Sequence, residues 1–454
     1  MKSLHAEPEL LTALARLDGA GLDRDGAVSD HDGAAEAATE PGAKIEQRRA
    51  DTLLATIAWS RLAEPGDGVA GAMLAALGPS AALEMLVRGT TAATLQHALS
   101  DPGTSGLENV DAGAGGGIAG GARTEITAQA AAEALKRWLP RLDRAETVAD
   151  IERACAAGLR VLLPGDPYWP VALNDLGLHA PNLLWVRGDV RSLSLPSLSV
   201  VGARAASGYG THITAEVVDG VCAAGLAVVS GAAYGVDAVA HRTALAAARS
   251  TVAVLAGGAD RAYPRAHEAL LDRISGAGAV CAEMVPGSAP TRWRFLQRNR
   301  LIAALSSATL VTEAGINSGS LNTAGHAAQL GRTIGAVPGP VTSAASAGCH
   351  RLIREYGAML VTNAREACEL AGVSDELAVF GSEAGEDRDG AWERRVLDAL
   401  PLRGAREPND VAKRAGLTVE QTQGVLAELE LLGRVRRHEH SAGAPPRWAL
   451  AKRA

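Results

Sequence analysis

Between about Leu159 and Thr362, short apolar runs rich in β-branched residues recur: "LSVVG", "LAVVSG", "TVAVLAG", "AVCAE", "ATLVTEA", "RTIGAVPG" and "AMLVT". Amphipathic stretches separate most of them. In "THITAEVVDGVCAAG" the residues Ile213, Val217 and Val221 return at helical spacing. Near-continuous apolar strands alternating with helices specify an α/β fold, a parallel sheet covered on both faces. Ligands of such sheets sit outside the carboxyl ends of the strands, so function is sought in the loops that follow each run.

The flanks have a different texture. A chain of 454 residues is expected to make about two to four units. Residues 1–50, with "DRDGAVSDHDGAAEAATEPGA", carry little apolar periodicity and read as a disordered arm. Residues 51–145 read as a small helical domain, interrupted at about 101–125 by a Gly-rich insertion too poor in side chains to pack. Within it, "LGPS" (Leu77–Ser80) is either a plain inter-helix turn or a helix-hairpin-helix turn. The sheet domain takes 146–372, an acidic linker 373–391, and 392–454 the pattern helix, helix, helix, hairpin of a winged helix-turn-helix. Thr418 and Gln421 form a T-x-x-Q capping box at its third helix, with Leu426, Leu429 and Leu432 as the buried stripe.

A net charge of −7 argues against a histone-like coat for nucleic acid, though not against a local basic groove. The five cysteines form no CxxC pair, so a reduced, cytoplasmic chain without structural zinc is expected. No apolar run reaches the roughly 18 residues of a membrane span, and "MKSLHAEPELLTALARLDGA" has no signal-peptide core. Neither a membrane partner nor a cofactor is expected.

In "LSVVGARAASGYG" a strand enters a turn of small residues, as at a dinucleotide site, but Arg204 stands where the second glycine would admit pyrophosphate. Arginine denies that approach and offers a fork of donors to a phosphate oxygen. The second strand also lacks a terminal acid for a ribose. These features disfavour NAD. "SGAAYG" is small and flexible, "AGGADRAYP" pairs two glycines, and "EAGINSGSLNTAG" sets Ser318, Gly319 and Ser320 at a helix N-terminus, where an anion is favoured. "TRWRFLQRNR" gathers Arg292, Arg294, Arg298 and Arg300 with Trp293, Phe295 and Asn299 and no acid. Arginines track a phosphate backbone and aromatic faces stack unpaired bases, at about 1–3 kcal/mol per base; the alternative is that Trp293 and Phe295 belong to the core. Tyr234 is a further stacking candidate.

Catalytic candidates are few. Ser230, Asp237 and His241 suggest a hydrolase only superficially, since no G-x-S-x-G, P-loop or HExxH is present; Asp237 reads as a helix N-cap. Glu313 is the best remaining acid, with a role in orienting Arg298 or Arg300 as the alternative. A Rossmann-type nucleotide phosphoribohydrolase would need one of these carboxylates. A duplex-binding regulator would use the winged helix, whose third helix places Glu420 outward while Arg434, Arg436 and Arg437 lie in the wing.

The blocks "VVGARAASGYG", "VVSGAAYGVDAVAHRTAL", "TVAVLAGGADRAYP", "FLQRNRLIAALSSATLVTEAGINSGSLNTAGHAAQLGRTIGAVPG" and "SAGCHRLI" follow the lead-in "LLPGDPYWPVALNDLGLHAPNLLWVRGD". In this order they resemble the DNA-processing protein A family (DprA/Smf) over residues 159–372. The resemblance implies an extended Rossmann-like core, a sterile-alpha-motif-type N-terminal domain and a C-terminal winged helix. It further implies a protein that is not an enzyme, that binds single-stranded DNA, forms a homodimer and helps load the RecA recombinase in natural transformation. By matching blocks, the DNA pocket would use Gly202, Arg204, Ser207, Gly210, Ser230, Gly231, Arg298, Asn299, Arg300, Ser318, Gly319 and Ser320. Three positions depart from the family's pattern: Ala203 stands for a common Thr, Tyr234 for Arg or Lys, and His267 for Asn.

Overall fold

The computed structural model describes residues 8–19, 40–100, 126–373, 392–401, 404–431, 434–438 and 446–451. The Gly-rich insertion at 101–125 and the acidic linker from 374 to 391 lie outside the described residues. The chain divides into two compact units, Met1–Ala378 and Val379–Ala454.

The expected disordered arm is corrected at both ends. Helix α1 spans Pro8–Leu17 and α2 spans Glu40–Leu62. Leu10, Leu14 and Leu17 share one face of α1 and are buried, a short apolar stripe that the acidic, Ala-rich average of the first fifty residues conceals. Helices α3 (Gly68–Leu77), α4 (Pro79–Val87), α5 (Ala92–Ser100), α6 (Ala128–Trp138) and α7 (Arg144–Ala156) follow. The "LGPS" turn is a sharp corner: Gly78 has φ +74° and Pro79 opens α4. Trp59, Met73, Leu83, Leu86, Leu95 and Trp138 make the core of this helical part, with the two tryptophans edge to face at 5.2 Å.

A nine-stranded sheet occupies the centre of the first unit. Its strands are β1 (Arg160–Leu162), β2 (Leu184–Gly188), β3 (Ser197–Val201), β4 (Ala227–Ser230), β5 (Thr251–Leu255), β6 (Ala279–Ala282), β7 (Ala308–Val311), β8 (Thr333–Ala336) and β9 (Met359–Leu360). The order is β1-β2-β6-β5-β4-β3-β7-β8-β9. Every pair from β6 to β9 is parallel, as the apolar runs require, whereas β1 and β2 add antiparallel at one edge. Those two strands, one just before and one near the end of the lead-in segment, are additional to the seven runs.

Helices α8 (Gly208–Ala223), α9 (Val236–Ala246), α10 (Glu268–Ala277), α11 (Arg292–Leu305), α12 (Ser320–Gln329), α13 (Ala347–Glu355) and α14 (Ala364–Leu370) cover the sheet. Two cores result. Val252 and Val254 of β5 face one with α11 and α12; Ala253 and Leu255 face the other with α1, α2, α7 and α10. This period-two division is what burial on both faces demands. It also ties α1 and, through Leu53, Leu54 and Ile57, the middle of α2 to the sheet, while Trp59 near the end of α2 serves the helical part.

In the second unit, α15 (residues 392–399), α16 (Pro408–Ala415) and α17 (Val419–Leu431) precede the antiparallel pair β10 (Val435–His438) and β11 (Arg447–Leu450). The capping box forms: Gln421 N–H donates to Thr418 Oγ1 at 3.2 Å and Thr418 N–H to Gln421 Oε1 at 3.0 Å. Leu426 and Leu429 are buried with Val411, Val435 and Trp448; Leu432 lies outside the described residues. Glu420 is exposed, and Arg434 pairs with Glu393 at 2.7 Å. No single helix among the described residues is long and apolar enough to cross a membrane.

Candidate nucleic-acid interface

From β3 the chain runs outward through β4, β5 and β6, then returns to place β7 on the other side of β3. The carboxyl ends of β3 and β7 therefore diverge at a switch point, where α/β sheets keep their ligand crevice. A cleft of about 960 Å³ opens there, lined by the turn after β3 (Gly202–Arg204), the loop after β7 (Gly315–Ser320) and the first half of α11.

Glu313, just past β7, organises the β3 turn. Its backbone carbonyl accepts from Ala203 N–H at 2.7 Å. Its buried carboxylate accepts from Ser207 N–H at 2.8 Å and from Ser207 Oγ–H at 2.5 Å. Ser207 in turn caps α8, its Oγ accepting from Gly210 N–H at 3.0 Å. A Cβ on Gly210 would stand 2.2 Å from Glu313 Oε2, and one on Gly202 would stand 2.6 Å from Val236 Cγ2. These two glycines and Ser207 thus build the turn, and Glu313 orients it rather than Arg298 or Arg300.

The arginines separate into distinct classes. Arg204 is exposed, lies 5.0 Å over the Phe295 ring, and has no hydrogen-bond or carboxylate partner among the described residues. Arg292, also exposed on the cleft, is equally unpaired among them. Arg298 lines the cleft floor but is buried, its Nη1 donating to the carbonyls of Gly231 at 2.9 Å and Val254. Burial pulls its pKa down to about 10, with Asp237 opposing. Arg300 turns away and is buried with both oxygens of Glu283 at 2.8 Å. Arg294 clasps Glu64 through two bonds of 2.9 Å and reaches no part of the cleft lining. Arg300 is therefore corrected from a cleft contact to a core ion pair.

Ser230 is corrected likewise: it is fully buried and its hydroxyl donates to Val200 O at 2.7 Å. Gly231 lets Arg298 approach, since a Cβ there would meet Nη1 at 2.6 Å. Asp237 is not the N-cap of α9; Gly235 holds that position. Its buried carboxylate accepts from Gly231 N–H at 3.2 Å and Ala233 N–H at 3.3 Å. Burial pushes its pKa up, against the charge of Arg298 and those two amides. His241 is buried, with Nδ1 2.8 Å from Thr251 Oγ1; burial and the charges of His267 and Arg298 push its pKa down to about 3.

Asn299, Ser318, Gly319 and Ser320 do line the cleft. Asn299 Nδ2 donates to Asn322 Oδ1 at 3.2 Å and Gly319 O at 3.4 Å, joining α11 to the N-terminus of α12. Ser318 and Ser320 share a hydroxyl bond of 2.8 Å. Phe295 is half-buried between Arg204, Arg298 and Tyr263, whose ring centroid is 5.5 Å away. Trp293 is 58% exposed outside the cleft lining, so it is not a core residue. Tyr263, Ile316 and Asn317 are cleft residues that sequence reasoning missed. Tyr263 carried a signal as the aromatic of "AGGADRAYP".

Tyr234 and His267, singled out in the sequence, meet each other. Tyr234 stands edge-on to His267 at 4.8 Å, and His267 Nδ1–H donates to Ala232 O at 2.9 Å. Ala232 has φ +53°, a strained conformation for a residue with a Cβ, so His267 supports the loop that Tyr234 ends. The Tyr234 ring remains half exposed but outside the cleft lining.

Residues 160–372 match the family model described as DNA recombination-mediator protein A. The chain is 45% identical over 306 residues to the DNA processing protein DprA homologue of Mycobacterium tuberculosis, covering 64% of this chain and 78% of that one. The chain belongs to the DNA recombination-mediator protein A family. DprA of Streptococcus pneumoniae is 39% identical over 201 residues, 44% of this chain and 70% of that one. Its X-ray structure superimposes with a TM-score of 0.52 at 27% identity, over 70% of this chain and 96% of that one. Residues 382–439 match the DprA winged helix domain. As a DprA family member, the chain is a DNA-processing protein of recombination, built on an α/β sheet with a helical N-terminal part and a C-terminal winged helix.

Proposed function

We propose that this chain binds single-stranded DNA in the cleft between β3 and β7 and helps load the RecA recombinase onto it, acting as a cytoplasmic homodimer in natural transformation. The observation that carries the reading is the pair of unpaired guanidinia, Arg204 and Arg292, on one open cleft beside the half-exposed Phe295. Two cations track phosphates; the aromatic faces of Phe295 and Tyr263 take bases without reading their identity. Gly202, Arg204, Asn299 and the Ser318–Ser320 loop contact the strand, and Arg298 forms the floor. Ser207, Gly210, Ser230, Gly231 and Arg300 support these groups from behind, with Tyr234 at the margin.

The carboxylates a hydrolase would need are engaged. Asp237 holds two backbone amides and Glu313 holds Ser207, which supports binding over catalysis. Fluorescence anisotropy with one labelled oligonucleotide, single- and double-stranded, tests the reading. Single-strand preference with a steep salt slope is expected; equal or better duplex binding would overturn it. For the partner, RecA ATPase on single-stranded DNA coated with single-strand-binding protein should start sooner when this chain is added. An unchanged lag would remove the loading role.

A further inference from the structure

Helix α11 is anchored at one end only. Its side chains at 300–305 are all buried, whereas none at 292–297 is. The first half, which carries Arg292 and Phe295 into the cleft lining, therefore lacks a buried apolar stripe to fix it in place. Its hold is polar. Thr291 caps the helix, its Oγ1 accepting from Arg294 N–H at 3.2 Å. The Arg294 guanidinium then reaches in two directions. Nη1 donates to Ala289 O at 2.9 Å, just before the lining residues 290–292. Nε and Nη2 donate to the two oxygens of Glu64, each at 2.9 Å.

Glu64 belongs to the helical part, in the turn between α2 and α3, and is itself fixed there. Arg141 donates to Glu64 Oε1 at 2.8 Å and to Leu62 O at 3.3 Å. Burial opposes the charge of Glu64, yet the two guanidinia outweigh it and hold its pKa below the usual carboxylate range. Two residues on, Gly66 packs so closely that a Cβ would stand 2.7 Å from Gln297 Oε1 and 3.1 Å from Arg300 Nε. The Gly66 carbonyl also accepts from His179 Nδ1–H at 2.9 Å. The helical part thus grips α11 through Arg294, Gln297 and Arg300, side chains that do not line the cleft. We propose that Glu64 and Arg294 are positioning residues for single-strand binding: through their ion pair the helical part holds the α11 wall of the cleft ready for the strand. This rests on the single-strand reading of that cleft. A wall held beforehand spares the strand the cost of ordering it, and neither residue touches DNA.

Anisotropy titrations of the full chain with a labelled oligothymidine across a salt series test this, with thermal unfolding to show that each variant is folded. Arg294→Lys keeps every charge but cannot bridge both Glu64 oxygens and Ala289 O. It should weaken binding by about three- to thirtyfold, the range of coupling through such contacts, with the salt slope unaltered because no phosphate contact is lost. Glu64→Arg sets three guanidinia together and should also weaken binding, although the added positive charge acting through space would tighten it. Glu64→Arg combined with Arg294→Glu restores the pair in reverse and should bring affinity back to within about threefold of the unaltered chain; a direct contact of Arg294 with a phosphate could not be rescued so. Unchanged affinity in Arg294→Lys, tighter binding in Glu64→Arg, or a folded double variant that recovers nothing would each overturn the proposal. Should Glu64→Arg fail to fold, Arg294→Lys decides. Absence of single-strand binding by the unaltered chain would instead strike the reading of the cleft, and the positioning role with it.

Discussion

Arg204 and Arg300 are both arginines of family-like blocks, yet the structure gives them opposite roles, and salt separates them. Arg204→Ala removes an exposed guanidinium that lies 5.0 Å over the Phe295 face and has no hydrogen-bond partner among the described residues. Each phosphate neutralised on a single strand adds about 0.7 to the slope of log affinity against log salt. Between about 50 and 200 mM salt, one contact is therefore worth roughly 2.6-fold in affinity. Losing the charged hydrogen bond itself costs about 1.5–3 kcal/mol, or about ten- to a hundredfold at low salt. Anisotropy titrations at four or five salt concentrations should show Arg204→Ala binding weakly with a slope shallower by about 0.7. Arg300→Met should leave that slope unaltered. It strands the Glu283 carboxylate, which holds Arg300 through two 2.8 Å bonds, at a cost of about 3–5 kcal/mol in denaturant unfolding. A slope that stays put in Arg204→Ala and flattens in Arg300→Met would refute the assignment of which arginine faces the strand.

Three further outcomes are expected. Gly210→Ala sets a Cβ 2.2 Å from Glu313 Oε2; the turn must shift, so chemical denaturation should show a loss of about 1–3 kcal/mol together with weaker oligonucleotide binding. His241 is held neutral, its pKa pushed down to about 3, so the unfolded chain takes up a proton that the folded one refuses. Its contribution is complete above about pH 6.5 and falls by about 1.4 kcal/mol per unit on acidification towards pH 3; unfolding curves of His241→Asn should lose that part of the acid slope. Thr418→Ala removes the acceptor of Gln421 N–H, and thermal unfolding of the Val379–Ala454 unit should report a loss of about 1 kcal/mol.

Much of this architecture was legible in order along the chain. Near-continuous apolar runs marked seven of the nine central strands, because a strand buried on both faces has no polar alternative. The capping box at Thr418 marked a helix start because its two hydrogen bonds are local. Helix α1 was not legible because its three buried leucines, of four in ten residues, vanish in the composition of a fifty-residue window. Strands β1 and β2 were not legible because they lie before those alternating runs and join the sheet antiparallel, with no helix-strand repeat to mark them.

At the site, the sequence by itself determined which loops end on the ligand side of the sheet and that basic and aromatic residues concentrate in one of them. It did not determine which of those side chains are free. Arg298, Asn299 and Arg300 are consecutive on α11, but helical geometry turns successive residues about 100° apart. One meets the carbonyls of Gly231 and Val254, one meets Asn322, and one meets Glu283. Glu313 and Asp237 are equally indistinct as letters, and become structural once Ser207 and the amides of Gly231 and Ala233 reach them. Whether a charged group is available to a ligand depends on which partners the folded chain sets beside it, since only an unpaired group retains its interaction free energy for something outside the fold. Only the tertiary structure brings those partners together, and so only it decided that Arg204 and Arg292 remain open to a strand.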